Sequence, residues 1–82
     1  MKKHTKIYMD YFGYGEQDFI PCELCGSKAV DIHHIRGRKN NDIDNLMALC
    51  RRCHANVHDK QLYDKNYLWA KHWIKIKDRS QN

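Results

Sequence analysis

The stretch Cys50-Arg51-Arg52-Cys53-His54-Ala55-Asn56-Val57-His58 decides how this chain is read. Its Cys-x-x-Cys pair repeats an earlier one, Cys22-Glu23-Leu24-Cys25, with 24 residues between the two. Each pair sets two thiolates on one turn, and two such turns can close a tetrahedron around Zn²⁺. Gly26, directly after Cys25, suits a tight knuckle in which the backbone folds back beneath a metal. A closed four-thiolate site leaves no position open for substrate, so Cys22, Cys25, Cys50 and Cys53 read as scaffold with structural zinc. A redox dithiol would need only one pair and a surrounding βαβ pattern, which this sequence lacks.

The rest of the composition agrees with a folded basic domain. The chain has 82 residues, 41% of them hydrophobic and nine aromatic, and a net charge of +5. A chain of this length predicts one domain, with ~60–65% of its surface buried on folding. Domains this small often need a metal to hold together. The positive balance favours a polyanionic partner. No apolar run approaches the ~20 residues of a membrane span. Met1-Lys2-Lys3 is basic, but Asp10, Glu16 and Asp18 interrupt the apolar stretch that a secretory signal would need. These features predict no membrane partner and a reducing cytoplasm, where paired cysteines bind metal.

Working outward, Ile7, Tyr8, Tyr11 and Phe12 fall on one side of a helical turn, so the first twelve residues predict a helix ended by Gly13 and Gly15. Phe19-Ile20-Pro21 leads in extended form into Cys22. Residues 29–33 alternate as a strand, 36–44 read as a polar loop, and Leu46–Leu49 as a second strand. A helix starts near Arg51 and runs past His58. A last helix spans 62–77, with Tyr63, Tyr67, Ala70 and Ile74 on one stripe and Trp69, Trp73 and Ile76 on the next, both read as core. Residues 78–82 read as frayed.

Four of the six histidines cluster around the second half of the cysteine frame. His54 and His58 are four apart on one helix face, as two ligands of one metal would be. His33 and His34 are adjacent near a strand end, so their side chains point to opposite faces. One can ligate a metal while the other takes a proton from water, at a reference pKa near ~6.5. His4 and His72 lie outside this pattern and receive no role.

With Asp31-Ile32-His33-His34-Ile35, Asn45-Leu46-Met47-Ala48-Leu49, Cys50-Arg51-Arg52-Cys53-His54 and His58 in place, the chain resembles the HNH, or ββα-metal, endonucleases from Cys22 to His58. The resemblance implies a small α+β fold in which a β-hairpin and a following helix grip one divalent cation, flanked here by N- and C-terminal helices. It implies residues 1–82 as a single nuclease domain, with 1–20 as helix and lead-in, 22–58 as the zinc-stapled core and 62–77 as the C-terminal helix.

The resemblance also implies roles. His34 matches the general base that activates water, and Asn45 the residue that braces the loop and orients that base. His33, His54 and His58 match ligands of the catalytic metal. His33 stands where relatives often carry Asp, no Pro or Gly-Gly follows the base, and the loop from His34 to Asn45 is short. An imidazole-rich site tilts preference toward Mn²⁺, Ni²⁺ or Zn²⁺ over Mg²⁺. The implied reaction is hydrolysis of a DNA phosphodiester in double-stranded DNA. Arg36, Arg38 and Lys39 after the base, and Arg51 and Arg52 at the start of the metal helix, are natural phosphate contacts. The family association points to phage or mobile-element equipment, with packaging or mobile-element proteins as further partners, in a bacterial or phage-infected cell. The competing reading is a non-catalytic zinc module that binds DNA or protein in such a complex.

Overall fold

The computed structural model describes residues 2–80. It is a small α+β fold of three helices and a two-stranded antiparallel sheet: α1 (Lys3–Phe12), β1 (Asp31–His34), β2 (Leu46–Leu49), α2 (Arg51–His58) and α3 (Lys65–Ser80). A short 3-10 turn over Ile43–Asn45, within the stretch predicted as loop, delivers the chain into β2. Gly13 closes α1 with its N–H on the Asp10 carbonyl. The predicted strand 29–33 is shifted: Ala29 and Val30 bond to Ile20 and Leu49 as lead-in, and β1 continues to His34.

The strand register fixes everything that follows. Asp31 pairs with Leu49, Ile32 with Ala48, His33 with Met47 and His34 with Leu46. Residues directly opposite in an antiparallel pair share a face, and the faces alternate along the strand. Asp31 and His33 therefore stand on the Met47/Leu49 side, and Ile32 and His34 on the Leu46/Ala48 side. All four residues of β2 are fully buried, because both faces are covered. Burying a Leu or Met side chain contributes ~1.5–3 kcal/mol each.

On the first face Met47 and Leu49 pack with Cys22, Cys50 and Cys53, Ile35, Val57 of α2 and Leu68 of α3. On the second, Ile32, Leu46 and Ala48 pack against Tyr8 of α1, with Phe12, Tyr14 and Ile43 around them.

The C-terminal helix departs from its sequence reading at both ends and in its face. It begins at Lys65 because the Asp64 carboxylate caps it, accepting from the Tyr67 backbone N–H at 2.8 Å. It continues to Ser80, through residues predicted as frayed; 81–82 lie outside the described residues. The stripe that points inward is Leu68, His72 and Ile76, while Tyr67 and Ile74, read as core, are 45% and 57% exposed. Trp69 and Trp73 are half-buried.

A polar network pins α3 to the rest. His72 is fully buried, with Nδ1 2.6 Å from Glu23 Oε1 and Nε2 2.6 Å from the Ile43 carbonyl. The other Glu23 oxygen accepts from the Tyr8 hydroxyl and from the Ala48 backbone N–H. Lys75 donates to the Tyr8 hydroxyl and lies over the rings of Tyr8, Phe12 and Tyr14 at 4.9–5.2 Å. Glu23 stands between Cys22 and Cys25, so the knuckle, α1, β2 and α3 meet on one carboxylate.

Candidate metal centre and active site

The knuckle is built by the chain folding under Cys22. The Cys22 N–H donates to the Ser27 carbonyl and the Gly26 N–H to the Cys22 carbonyl. Gly26 adopts φ +83°, which a side chain would resist. The second pair straddles the start of α2, where Cys50 caps the helix and its Sγ accepts from the Cys53 N–H at 3.4 Å.

The four Sγ atoms all lie within 4.8 Å of one another, and Cys25 and Cys50 sulfurs are 3.6 Å apart. Tetrahedral zinc with Zn–S bonds of ~2.3 Å sets sulfurs ~3.8 Å apart. The thiols thus fit Zn²⁺ with little rearrangement. Hydrogen bonds from Ser27 hold the Cys25 thiol below its ordinary range, while burial pushes Cys53 above it. A divalent cation among them reverses the second effect, since thiolates are the ligand form.

The adjacent histidines part company as the register requires. His33, on the α2 side, stands against His54 with ring centroids 5.2 Å apart, and His54 lies 5.8 Å from His58. Burial, followed by the charges of His54, His58 and His34, lowers the His33 imidazole to about 4. It is therefore held neutral, the form that ligates a metal. Asp31, on the same face, lies 3.2 Å from His54 Nδ1 through Oδ2. With the Nδ1–H donated to this carboxylate, Nε2 is left as the ligand nitrogen. His58 Nδ1 is 3.0 Å from Asp59 Oδ1.

The donor set suits a divalent transition metal, and imidazoles sharing one such ion at ~2.1 Å put their ring centroids ~5 Å apart. The nitrogens themselves converge less than the thiols. Among the described residues, the four cysteines are the group whose donor atoms all come within 4.8 Å.

His34, on the α1 side, has Nε2 2.8 Å from Asn41 Oδ1. The His4 ring from α1 packs on it at 4.5 Å between centroids. Asn45 is buried and braces the loop. Its Nδ2 donates to the Gly37 and Asn40 carbonyls at 3.0 and 2.7 Å, and its Oδ1 accepts from the Arg36 N–H at 2.7 Å.

An open groove runs past these groups, lined by His4, His33, His34, His54 and His58 and by the cations Lys2, Arg36, Arg38 and Lys65. Arg36 is anchored there, its guanidinium donating to Asn66 Oδ1 at 3.0 Å and lying 5.5 Å from the Trp69 ring. Arg51 borders a shallower adjoining depression with Arg38 and Asp31. Lys39 and Arg52 are exposed and line neither.

Sequence reasoning passed over Asp31, Asn41 and His4. Asp31 was accessible from strand alternation, two residues before His33. Asn41 sits in an Asn-Asn turn with no period to single it out, and His4 meets His34 only through the packing of α1.

A two-stranded hairpin feeds a helix, four thiols converge beside it, and imidazoles gather where strand and helix meet. Residues 22–60 match the family model for HNH endonuclease, and this part of the chain is an HNH domain. The chain is also similar to a mitochondrial DNA mismatch repair protein mutS homolog of Sarcophyton glaucum. The two are 36% identical over 59 residues, which cover 60% of this chain and 6% of that protein. No solved structure matches the chain significantly.

Proposed function

We propose that the chain is a metal-dependent endonuclease that hydrolyses DNA phosphodiesters, with His34 as general base. The observation that carries this reading is the division of labour at the end of β1. His33 faces His54 and His58, while its neighbour His34 stands on the other face of the strand with Nε2 engaged by Asn41, and all four rings line the same groove. The HNH domain supports the reaction class, and the similarity to a DNA mismatch repair protein supports DNA as the substrate.

In this reading Asn41 Oδ1 accepts the Nε2–H of His34 and leaves the Nδ1 lone pair to take a proton from water. The water oxygen attacks phosphorus as the bond to the 3′ oxygen breaks, giving a 5′-phosphate and a 3′-hydroxyl. His33, His54 and His58 would hold a divalent cation, which when bound neutralises charge on the phosphate and the leaving oxygen. Asp31 orients His54, and Asn45 keeps the loop that carries Asn41 in place. Arg36 and Arg38 hold flanking phosphates without reading bases. Structural zinc on the four cysteines holds the hairpin against α2.

The incomplete convergence of the three imidazoles favours a second reading, a zinc module that binds DNA without cutting it. Incubating supercoiled plasmid with Mg²⁺, Mn²⁺ or Ni²⁺ separates the two. The nuclease reading expects metal-dependent nicked or linear product. DNA binding without cleavage under every metal would favour the module.

A further inference from the structure

The ring of His34 is held from two sides by residues that the sequence motif does not name. Asn41, seven residues on, offers Oδ1 to Nε2 at 2.8 Å. His4 lies outside the HNH domain altogether, and its ring meets His34 at 4.5 Å with the planes 51° apart. Both contacts follow from the register. His34 shares a face with Leu46, and α1 covers that face through Tyr8. Asn41 is presented by the loop that Asn45 braces through the neighbouring Asn40 carbonyl.

We infer that Asn41 and His4 are positioning residues for His34, Asn41 fixing which ring nitrogen carries the hydrogen and His4 blocking rotation of the ring. The chemistry requires both constraints. A neutral imidazole donates from one nitrogen and accepts at the other. With Nε2–H held by Asn41, Nδ1 is the basic nitrogen. Without that acceptor the ring can flip or exchange tautomers, and the lone pair no longer faces one place. His4 supplies a flat partner from α1 that packs on the ring at 4.5 Å between centroids. Burial and the neighbouring His34 hold His4 itself below the ordinary imidazole range. An extra helix outside the domain thus completes the catalytic geometry inside it.

The inference rests on the nuclease reading for its catalytic meaning, but its geometry is tested separately. The zinc-loaded protein is labelled with ¹⁵N and its imidazoles are observed at pH ~8, where an ordinary imidazole is neutral. The wild-type chain is expected to show a slowly exchanging Nε2–H signal for His34. Asn41→Leu should lose that signal, and Asn41→Asp, which keeps the acceptor, should retain it. An unchanged signal in Asn41→Leu, or none in the wild type, would overturn the assignment of Asn41.

Kinetics supply the second arm. Asn41→Leu and His4→Ala should each lower kcat about 10- to 100-fold with KM within about twofold, the pattern of a misplaced reacting group. His4→Phe, which keeps a flat ring, and Asn41→Asp should recover most of the loss. Equal loss in His4→Ala and His4→Phe, or a change confined to KM, would overturn the positioning role. If the wild-type chain cleaves no DNA, the nuclease reading fails, while the Nε2–H signal still decides whether Asn41 fixes the ring.

Discussion

Glu23 and His72 form a buried pair across 49 residues of sequence, with Oε1 and Nδ1 2.6 Å apart and the side chains 4% and 0% exposed. Both nitrogens of His72 face acceptors, since Nε2 meets the Ile43 carbonyl. The two side chains form a buried hydrogen-bonded pair in which each partner satisfies the other. Removing one partner leaves the other buried and unpaired, at a cost of ~1–3 kcal/mol or more. Glu23→Gln and His72→Leu should each destabilise the zinc-loaded protein on that scale in urea unfolding. The double variant should cost less than the sum. A change below about 0.5 kcal/mol in either single variant would remove the pair from the account.

The thiol geometry predicts one tightly held zinc per chain. Chelation of the purified protein should unfold it, because apparent binding of ~10–16 kcal/mol in such sites is also folding free energy. Circular dichroism during chelator titration, read against released zinc, checks this. Zinc loss with the helical signal intact would show that the hairpin and α2 stand without the metal.

Asn45 satisfies three backbone groups of the loop that follows β1. Asn45→Ala leaves the Arg36 N–H and two carbonyls without this partner, at a cost of ~1–3 kcal/mol for each group left unpaired and shielded from water. The expected result is lower stability together with faster amide exchange at Arg36. Exchange at Arg36 as slow as in the wild type would mean that other contacts hold the loop.

The His33 imidazole is lowered to about 4, first by burial and then by its histidine neighbours. Below ~6.5 the unfolded chain takes up a proton that the folded chain refuses until about pH 4. His33 therefore contributes fully above pH ~6.5, and its contribution declines as pH falls toward 4. The stability difference between wild type and His33→Asn, measured in parallel from pH 7.5 to 4.5, should move against the wild type on acidification. A difference independent of pH would mean that His33 is not held neutral by its surroundings.

Local patterns carried most of the fold. The apolar run Leu46–Leu49 forms β2 as read, α2 starts at Arg51 as expected but ends at His58 rather than beyond it, and the cysteines come together as their two pairs require. The misreading concerns α3. Its aromatic stripe of Tyr63, Tyr67, Ala70 and Ile74 looks like a buried face, yet Tyr67 and Ile74 face solvent. The inward stripe is broken in sequence by His72, whose polarity is satisfied only by Glu23, and nothing local announces that pairing. The same limit applies to the candidate site. The histidine cluster is visible in the sequence, whereas Asn41 and His4 acquire meaning only when the loop and α1 fold against β1.

The proposed cleavage depends on His34 as the base. The most direct measurement is plasmid cleavage by the wild type and His34→Ala at equal zinc content, across Mg²⁺, Mn²⁺ and Ni²⁺. Removal of a general base costs ~10²–10⁴-fold in rate, so the variant should retain zinc and fold while its metal-dependent cleavage falls by that factor. Cleavage by His34→Ala at the wild-type rate would contradict the account and require another group to activate the water.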